Sequence, residues 1–235
     1  MPSDPVIKLN NISKKYKIKG KSANTLREDI EGIFSRKNNL LLTHDEFWAL
    51  KDINITINKG ESVGIYGPNG SGKTTIIKLI SKVTIPTSGE ITVIGTFAPL
   101  ISVGAGFHPE LTGRENIYTN GTILGMSIKY LKKIENDIIN FSGLDKEFLN
   151  MPVKNYSSGM NARLGFSVAV HSNADIFLLD EVLSVGDEQF KKKCTEKIES
   201  LMNKKKTFLI VTHNHDLMKK LTTRIIYLKG GQIVD

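Results

Sequence analysis

The chain has 235 residues and a single cysteine, Cys194. An intramolecular disulfide is excluded, and a zinc site built on cysteine has too few ligands. One lone thiol fits a reducing compartment. No long hydrophobic run is present. The longest uncharged stretch, Ile91–Pro109, falls just short of the ~20 apolar residues of a spanning helix, and glycine and proline interrupt it. The opening residues MPSDPVIKLN lack an apolar segment behind a basic one, so no secretory signal is expected. The polypeptide is therefore expected not to cross a membrane by itself. Internal repeats and low-complexity segments are also missing.

What is there is ordinary globular material. Hydrophobic residues make up 40% and charged residues 24%, which excludes wholesale disorder. The length fits one domain, or two small ones. Lysine and arginine number 32 against 24 acidic residues, a net charge of +8. That excess suits nucleic acid, anionic lipid or nucleotide phosphates, and charge alone does not choose among them.

Val6–Leu9 is a short apolar, β-branched run. The basic stretch after it, Lys14 to Lys21 with Tyr16 and Ile18 between, reads first as a solvated loop. A basic strand with interleaved aromatics that touches nucleotide is the other reading. Leu26, Ile30, Ile33 and Phe34 fall at helical spacing, which predicts a short amphipathic helix within residues 22–46. From Trp48, Ile53, Ile55 and Ile57 alternate as on a strand, and Ser62–Tyr66 reads as a buried strand after a turn. A Gly-rich loop and a helix follow, then a strand at Ile91–Ile94. Residues 113–142 read as helix with a break near Gly125, and Ser158–His171 as another helix. Ile176–Leu179 and Thr207–Val211 read as buried strands, with the lysine-rich amphipathic helix Asp187–Met202 between them. Ile225–Leu228 and Gln232–Val234 read as a closing hairpin. Buried strands alternating with helices predict an α/β fold with a largely parallel core sheet.

Gly67-Pro68-Asn69-Gly70-Ser71-Gly72-Lys73-Thr74 has the spacing G-x-x-x-x-G-K-[ST], with a strand before it and a helix after it. Glycines let successive N–H groups curl toward phosphate oxygens, and the helix N-terminus adds partial positive charge. In that arrangement Lys73 reaches the β- and γ-phosphates, the Thr74 hydroxyl ligates Mg²⁺, and Thr75 joins the nucleotide-binding set. Downstream, Ile176–Leu179 is followed by Asp180 and Glu181. A charge just past a buried strand lies at the carboxyl edge of the sheet, where ligands bind. Asp180 would hold Mg²⁺ through water, and Glu181 would polarise the attacking water.

Taken together these motifs resemble the ATP-binding cassette (ABC) family over nearly the whole chain. The resemblance implies a P-loop NTPase (RecA-like) core with a mostly parallel sheet, an N-terminal antiparallel β part and an inserted helical subdomain. Residues 1–235 would form one nucleotide-binding domain, with the helical insertion at about 97–165. In the family a signature of the LSGGQ type precedes the acidic strand. Tyr156-Ser157-Ser158-Gly159-Met160 occupies that place here, and by itself it is also a helix cap. The resemblance implies that Ser157, Ser158 and Gly159 reach the γ-phosphate held by a second subunit. It places Asp187 against that subunit, though a plain N-cap fits Asp187 as well. His213 matches the family's switch histidine, and Tyr16 its adenine-stacking aromatic, with Phe47 or Trp48 as alternatives. His44, His171 and His215 carry no such argument and read as structural or surface residues. One departure stands out. Most cassettes carry a glutamine in the loop that corresponds to Ser102–Ile117, and the only glutamines here are Gln189 and Gln232. A backbone carbonyl, a water, His108 or Glu110 would have to serve instead.

GAGFHPELTGRENI, YSSGM, DEVLSVGD and the segment before FWALKDI are together similar to the ATPase subunits of bacterial polysaccharide exporters. The resemblance implies ATP and Mg²⁺ as ligands, a homodimer, an integral membrane permease as partner and a lipid-linked polysaccharide as cargo. It implies a peripheral position on the cytoplasmic face of the inner membrane. O-antigen is the first reading of the cargo; capsule or teichoic acid is the alternative. A soluble cassette acting on nucleic acid is a weaker reading, because such proteins carry two cassettes or a coiled-coil insertion, so no nucleic-acid partner is expected. A P-loop kinase or transferase would leave YSSGM and His213 unexplained.

Overall fold

The computed structural model describes residues 4–17, 46–100, 106–180, 186–212 and 214–234. The predicted helix at Leu26–Phe34 lies outside the described residues, as do Glu181, His213, His44 and residues 101–105.

Two sheets stack on each other. β1 (Pro5–Lys17), β2 (Glu46–Asn58) and β4 (Ser88–Val93) form an antiparallel sheet in the order β2-β1-β4. The second sheet runs β5-β6-β7-β3-β8-β9, built from β3 (Ser62–Tyr66), β5 (Phe97–Leu100), β6 (Ile176–Asp180), β7 (Thr207–Val211), β8 (Arg224–Lys229) and β9 (Gln232–Val234). All of its pairings are parallel except the closing β8–β9 hairpin. β3, β6 and β7 are buried almost end to end, because both faces of the sheet are covered. On one face, Ile7, Leu9, Ile12, Ile53 and Ile57 of the antiparallel sheet meet Val63, Ile65, Leu178 and Leu209, with helix α1 (Lys73–Ile80) in the same cluster. On the other face Phe177 and Phe208 stack at 5.2 Å beneath α5 (Ser158–Val170), α6 (Glu188–Asn203) and the short α7 (His215–Leu221).

Helices α2 (Gly113–Ile123), α3 (Ile128–Ser142) and the one-turn α4 (Lys146–Leu149) pack with α5 around Ile117, Leu131, Ile138, Leu164 and Val168. Thr112 and Glu115 form a reciprocal capping box that starts α2, and Ser127 caps α3. Among the described residues, no helix is long and apolar enough to cross a membrane.

The structure corrects one expectation. The basic stretch at Lys14, Lys15 and Lys17 is not a loop; β1 continues through Lys17, paired Lys15 to Trp48 and Tyr16 to Phe47. The cations are accommodated individually. Lys15 lies 3.4 Å from Glu46 and over the Trp48 ring, and the Ile85 carbonyl accepts from Lys14. β5 and α7 have no counterpart in the sequence reading. β5 contains Pro99, which argues against a central strand, but β5 is the edge of its sheet, where a missing N–H costs little.

His171, just past the end of α5, is structural. Its Nδ1 donates to the Ser167 carbonyl at 2.7 Å, its Nε2 accepts from Lys197 at 3.0 Å, and its ring meets the edge of Phe141. Burial lowers its pKa below the ordinary 6.5, against the pull of the Ser167 carbonyl, with the Lys197 charge lowering it further. The unfolded chain thus takes up this proton at higher pH than the native state. The contribution to stability is complete above about pH 6.5 and is lost as pH falls through the lowered native value. Urea unfolding followed from neutral to acid pH should show this decline, and His171→Gln should remove part of it. An unchanged pH slope in the variant would contradict the assignment.

Candidate functional site

The loop between β3 and α1 is shaped by what surrounds it. A Cβ on Gly67 would overlap the Leu228 carbonyl oxygen of β8. Gly72 has φ +106, and a Cβ there would lie 2.6 Å from the Ala49 oxygen of β2. Gly72 also occupies the N-cap position of α1 and gives it no side-chain cap. The first N–H groups of the helix are therefore not claimed by a capping side chain, as an anion site requires. Lys73 is buried, and its ammonium donates to the Gly67 and Pro68 carbonyls at 2.7 and 2.9 Å. The Ser71 hydroxyl is buried with no hydrogen-bond partner among the described residues.

A cavity of about 530 Å³ opens over this loop. Asn69, Gly70, Gly72, Lys73, Thr74 and Thr75 line one side, Asp180 from the end of β6 another, and Tyr16, Phe47 and Ala49 a third. The Tyr16 and Phe47 rings are 6.0 Å apart and tilted by 33°, and the Lys14 ammonium lies 5.1 Å from the Tyr16 ring. β1 and β2 place them as a facing pair. The cavity thus carries the Gly-rich loop and Lys73, groups suited to phosphate, on one side and an apolar, aromatic wall on another. Its metal-binding candidates are oxygen donors, the Thr74 hydroxyl and the Asp180 carboxylate, which suit a hard dication such as Mg²⁺. No group of three or more His, Cys, Asp or Glu residues forms a protein-only metal cage among the described residues.

Ser157, Ser158, Gly159 and Asp187 are not among the residues lining this cavity. Ser157 caps α5, its hydroxyl accepting from the Met160 N–H at 3.1 Å. Asp187 caps α6, accepting from the Phe190 N–H at 2.8 Å. Both are therefore N-caps. Neither His108 nor Glu110 lines the cavity. A hydrogen bond from Lys154 at 2.7 Å and its charge hold the Glu110 carboxyl below the usual carboxylate range. Sequence reasoning missed Asn116, which is fully buried. It accepts from the His108 N–H and donates to the carbonyls of His108, Leu111 and Thr112, stapling the 106–112 loop. It missed Ala49 on the cavity wall too. An exposed Phe47 directly opposite Tyr16 is legible only after β1 and β2 are paired.

A family model described as ABC transporter matches residues 50–184. The O-antigen export system ATP-binding protein RfbB of Klebsiella pneumoniae is 38% identical over 230 residues, 98% of this chain and 92% of that protein. The Myxococcus xanthus protein of the same name is 45% identical over 185 residues, 79% of this chain and 42% of its own length. The teichoic acids export ATP-binding protein TagH of Listeria monocytogenes serotype 4b (strain F2365) is 39% identical over 227 residues, 97% of this chain and 65% of its length. This chain thus spans nearly all of the first relative and less than two thirds of the other two. In fold it superposes on a dimeric ATP-binding cassette in a post-hydrolysis state bound to ADP and Pi, with TM-score 0.76 and 24% identity over 97% of each chain. A dimeric bacterial ABC transporter cassette gives TM-score 0.75 at 25% identity, again over 97% of each chain.

Stacking on the Tyr16 and Phe47 rings would not read the edge of a base. ATP and GTP should therefore bind within about a few-fold of each other, and Tyr16→Ala should weaken both by about 1–3 kcal/mol. Titration calorimetry of Tyr16→Ala and Phe47→Ala reads this directly. Unchanged affinity in both would place the base elsewhere.

Proposed function

The chain belongs to the ABC transporter family and hydrolyses ATP, and we propose that it energises a bacterial exporter of a lipid-linked cell-surface polysaccharide. The O-antigen of lipopolysaccharide is the first reading of the cargo, capsule or teichoic acid the second. The observation that carries the reading is the single cavity that gathers the Gly70–Thr75 loop, Asp180 and the Tyr16–Phe47 pair. The names of the relatives above support the export assignment.

In this reading the loop N–H groups and Lys73 bind the phosphates of ATP, and the rings of Tyr16 and Phe47 hold its base. Thr74 and Asp180 would hold Mg²⁺, which supplies positive charge against the phosphate oxygens when bound. Glu181, directly after Asp180, orients a water and accepts its proton as the water oxygen bonds to the γ-phosphorus. The bond to the β-γ bridging oxygen breaks, and ADP and phosphate leave. His213, after β7, contacts the γ-phosphate. Ser157, Ser158, Gly159 and Asp187 lie away from the cavity of their own chain, which supports their acting on the nucleotide of a second copy. Two chains would then enclose two nucleotides.

A long hydrophilic polymer does not cross a bilayer unaided, since its hydroxyls would lose their water partners. The proposed complex therefore includes an integral membrane permease, with this chain peripheral on the cytoplasmic face of the inner membrane. The helices between β5 and β6 would act as the inserted helical subdomain, which begins after residue 100 rather than at about 97, because Phe97–Leu100 is strand β5 of the core sheet. Phe107–Glu115, fixed to α2 by Asn116 and the capping box, would form part of the groove that grips the permease. Deleting the protein in its parent bacterium should strip one polysaccharide from the surface while lipid-linked polymer accumulates inside. Normal surface polysaccharide with no internal accumulation would sink the export assignment and leave the ATPase assignment standing.

A further inference from the structure

The last carbonyls of helix α3 are taken by two cations from other helices. Lys193 of α6 donates to the Asn140 and Phe141 oxygens, both at 2.9 Å. Arg163 of α5 takes the next two. Its Nε donates to Ser142 at 2.9 Å and one terminal nitrogen to Gly143 at 3.4 Å. Cations at a helix C-terminus complement its dipole, so capping alone would account for both side chains.

Arg163 makes a further link that Lys193 does not. Its other terminal nitrogen lies 3.8 Å from one carboxylate oxygen of Asp187, and its guanidinium lies 5.1 Å from the centre of the Phe190 ring. The other Asp187 oxygen accepts the Phe190 N–H that starts α6. One planar side chain thus joins three parts: the end of α3, the helix capped by Ser157, and the segment after β6 that carries Asp187. A lysine offers no such fork, since its ammonium is a point charge on a flexible stem.

We propose that Arg163 is a positioning residue for ATP hydrolysis, holding Asp187 and the Ser157–Gly159 helix end in one fixed relation so that both engage the second copy's nucleotide together. The inference rests on the two-chain reading above. Misplacement of positioning groups by about 1 Å can cost about a hundredfold in rate, so the link is large enough to matter although it touches no reacting atom.

The test is steady-state ATPase kinetics on the full chain, with thermal unfolding of each variant. Arg163→Ala should lower kcat about ten- to a hundredfold with KM changed by less than about threefold. Arg163→Lys should not restore it. Asp187→Asn keeps a good cap and removes the charge, so it should reproduce the kcat loss. The double variant should then be little worse than either single one, the non-additivity expected of directly linked residues. Lys193 caps the same helix without the Asp187 link, so Lys193→Ala should lower Tm and leave kcat near wild type. Wild-type kcat in folded Arg163→Ala overturns the proposal. So does a kcat loss in Lys193→Ala as large as in Arg163→Ala, or full additivity with Asp187→Asn. Should Arg163→Ala fail to fold, wild-type kcat in Asp187→Asn overturns it alone. If wild-type turnover shows no dependence on the pairing of chains as protein concentration rises, the two-chain reading fails and takes this proposal with it.

Discussion

The close seat of the phosphate loop against two neighbouring strands is the constraint on which the rest of the site depends. Gly67 has no room for a side chain beneath Leu228, and Gly72 combines a positive φ with the Ala49 carbonyl beside it. The closing hairpin completes the brace. The Gly231 N–H donates to Ser71 at 3.1 Å, and the Gly231 carbonyl accepts from Lys51 at 2.8 Å. The loop is therefore held by the parallel sheet through β8, by the antiparallel sheet through β2, and by the turn between β8 and β9. Without that support a Gly-rich segment would carry the largest conformational entropy in the chain. With it, the N–H groups are fixed before any phosphate arrives, which is the condition under which electrostatic stabilisation is strongest.

The layered fold follows from the same arrangement. β3 delivers the loop and must be central, so both its faces are buried and it reads as an unbroken apolar run. The antiparallel sheet covers one face and brings Tyr16 and Phe47 to the rim, so one packing interaction builds the core and aims the aromatic wall. The helical layer is attached at the opposite side through α5. There Ser157 and Asp187 each spend one oxygen on a helix start, and Arg163 ties the two starts to the end of α3. The chain thus presents a cavity and, apart from its lining, a pair of capped helix ends. That separation is compatible with the proposed sharing of a site between two copies.

Much of this was legible in the sequence. The strand, Gly-rich loop and helix at residues 62–80 are marked by a run of apolar residues, fixed glycine spacing and a helical pattern, three local signals that agree. The same holds for Ile176–Asp180, whose apolar run ends in a carboxylate. The basic N-terminal segment was misread because lysine disfavours strands in isolation. Its strand character comes from partners 31 and more positions away, such as Glu46 for Lys15 and Thr87 for the Lys15 N–H, which no local pattern reveals. β5 was missed because Pro99 argues against a strand, and only the strand order shows it to be an edge. Asn116 and Arg163 were missed for a related reason. Each acts by reaching backbone carbonyls of other segments, and an asparagine or arginine inside a helix pattern carries no sign of that.

The most direct test of the account is MgATP binding by Gly67→Ala, measured by titration calorimetry beside Gly70→Ala. A Cβ at Gly70 meets nothing within 4 Å, although its φ of +76 strains any side chain there. A Cβ at Gly67 must displace β8 or the loop itself. If the seated loop is what binds ATP, Gly67→Ala should lose detectable binding in a protein that still unfolds cooperatively, while Gly70→Ala should keep weakened binding. Wild-type affinity in Gly67→Ala would contradict the account at its base.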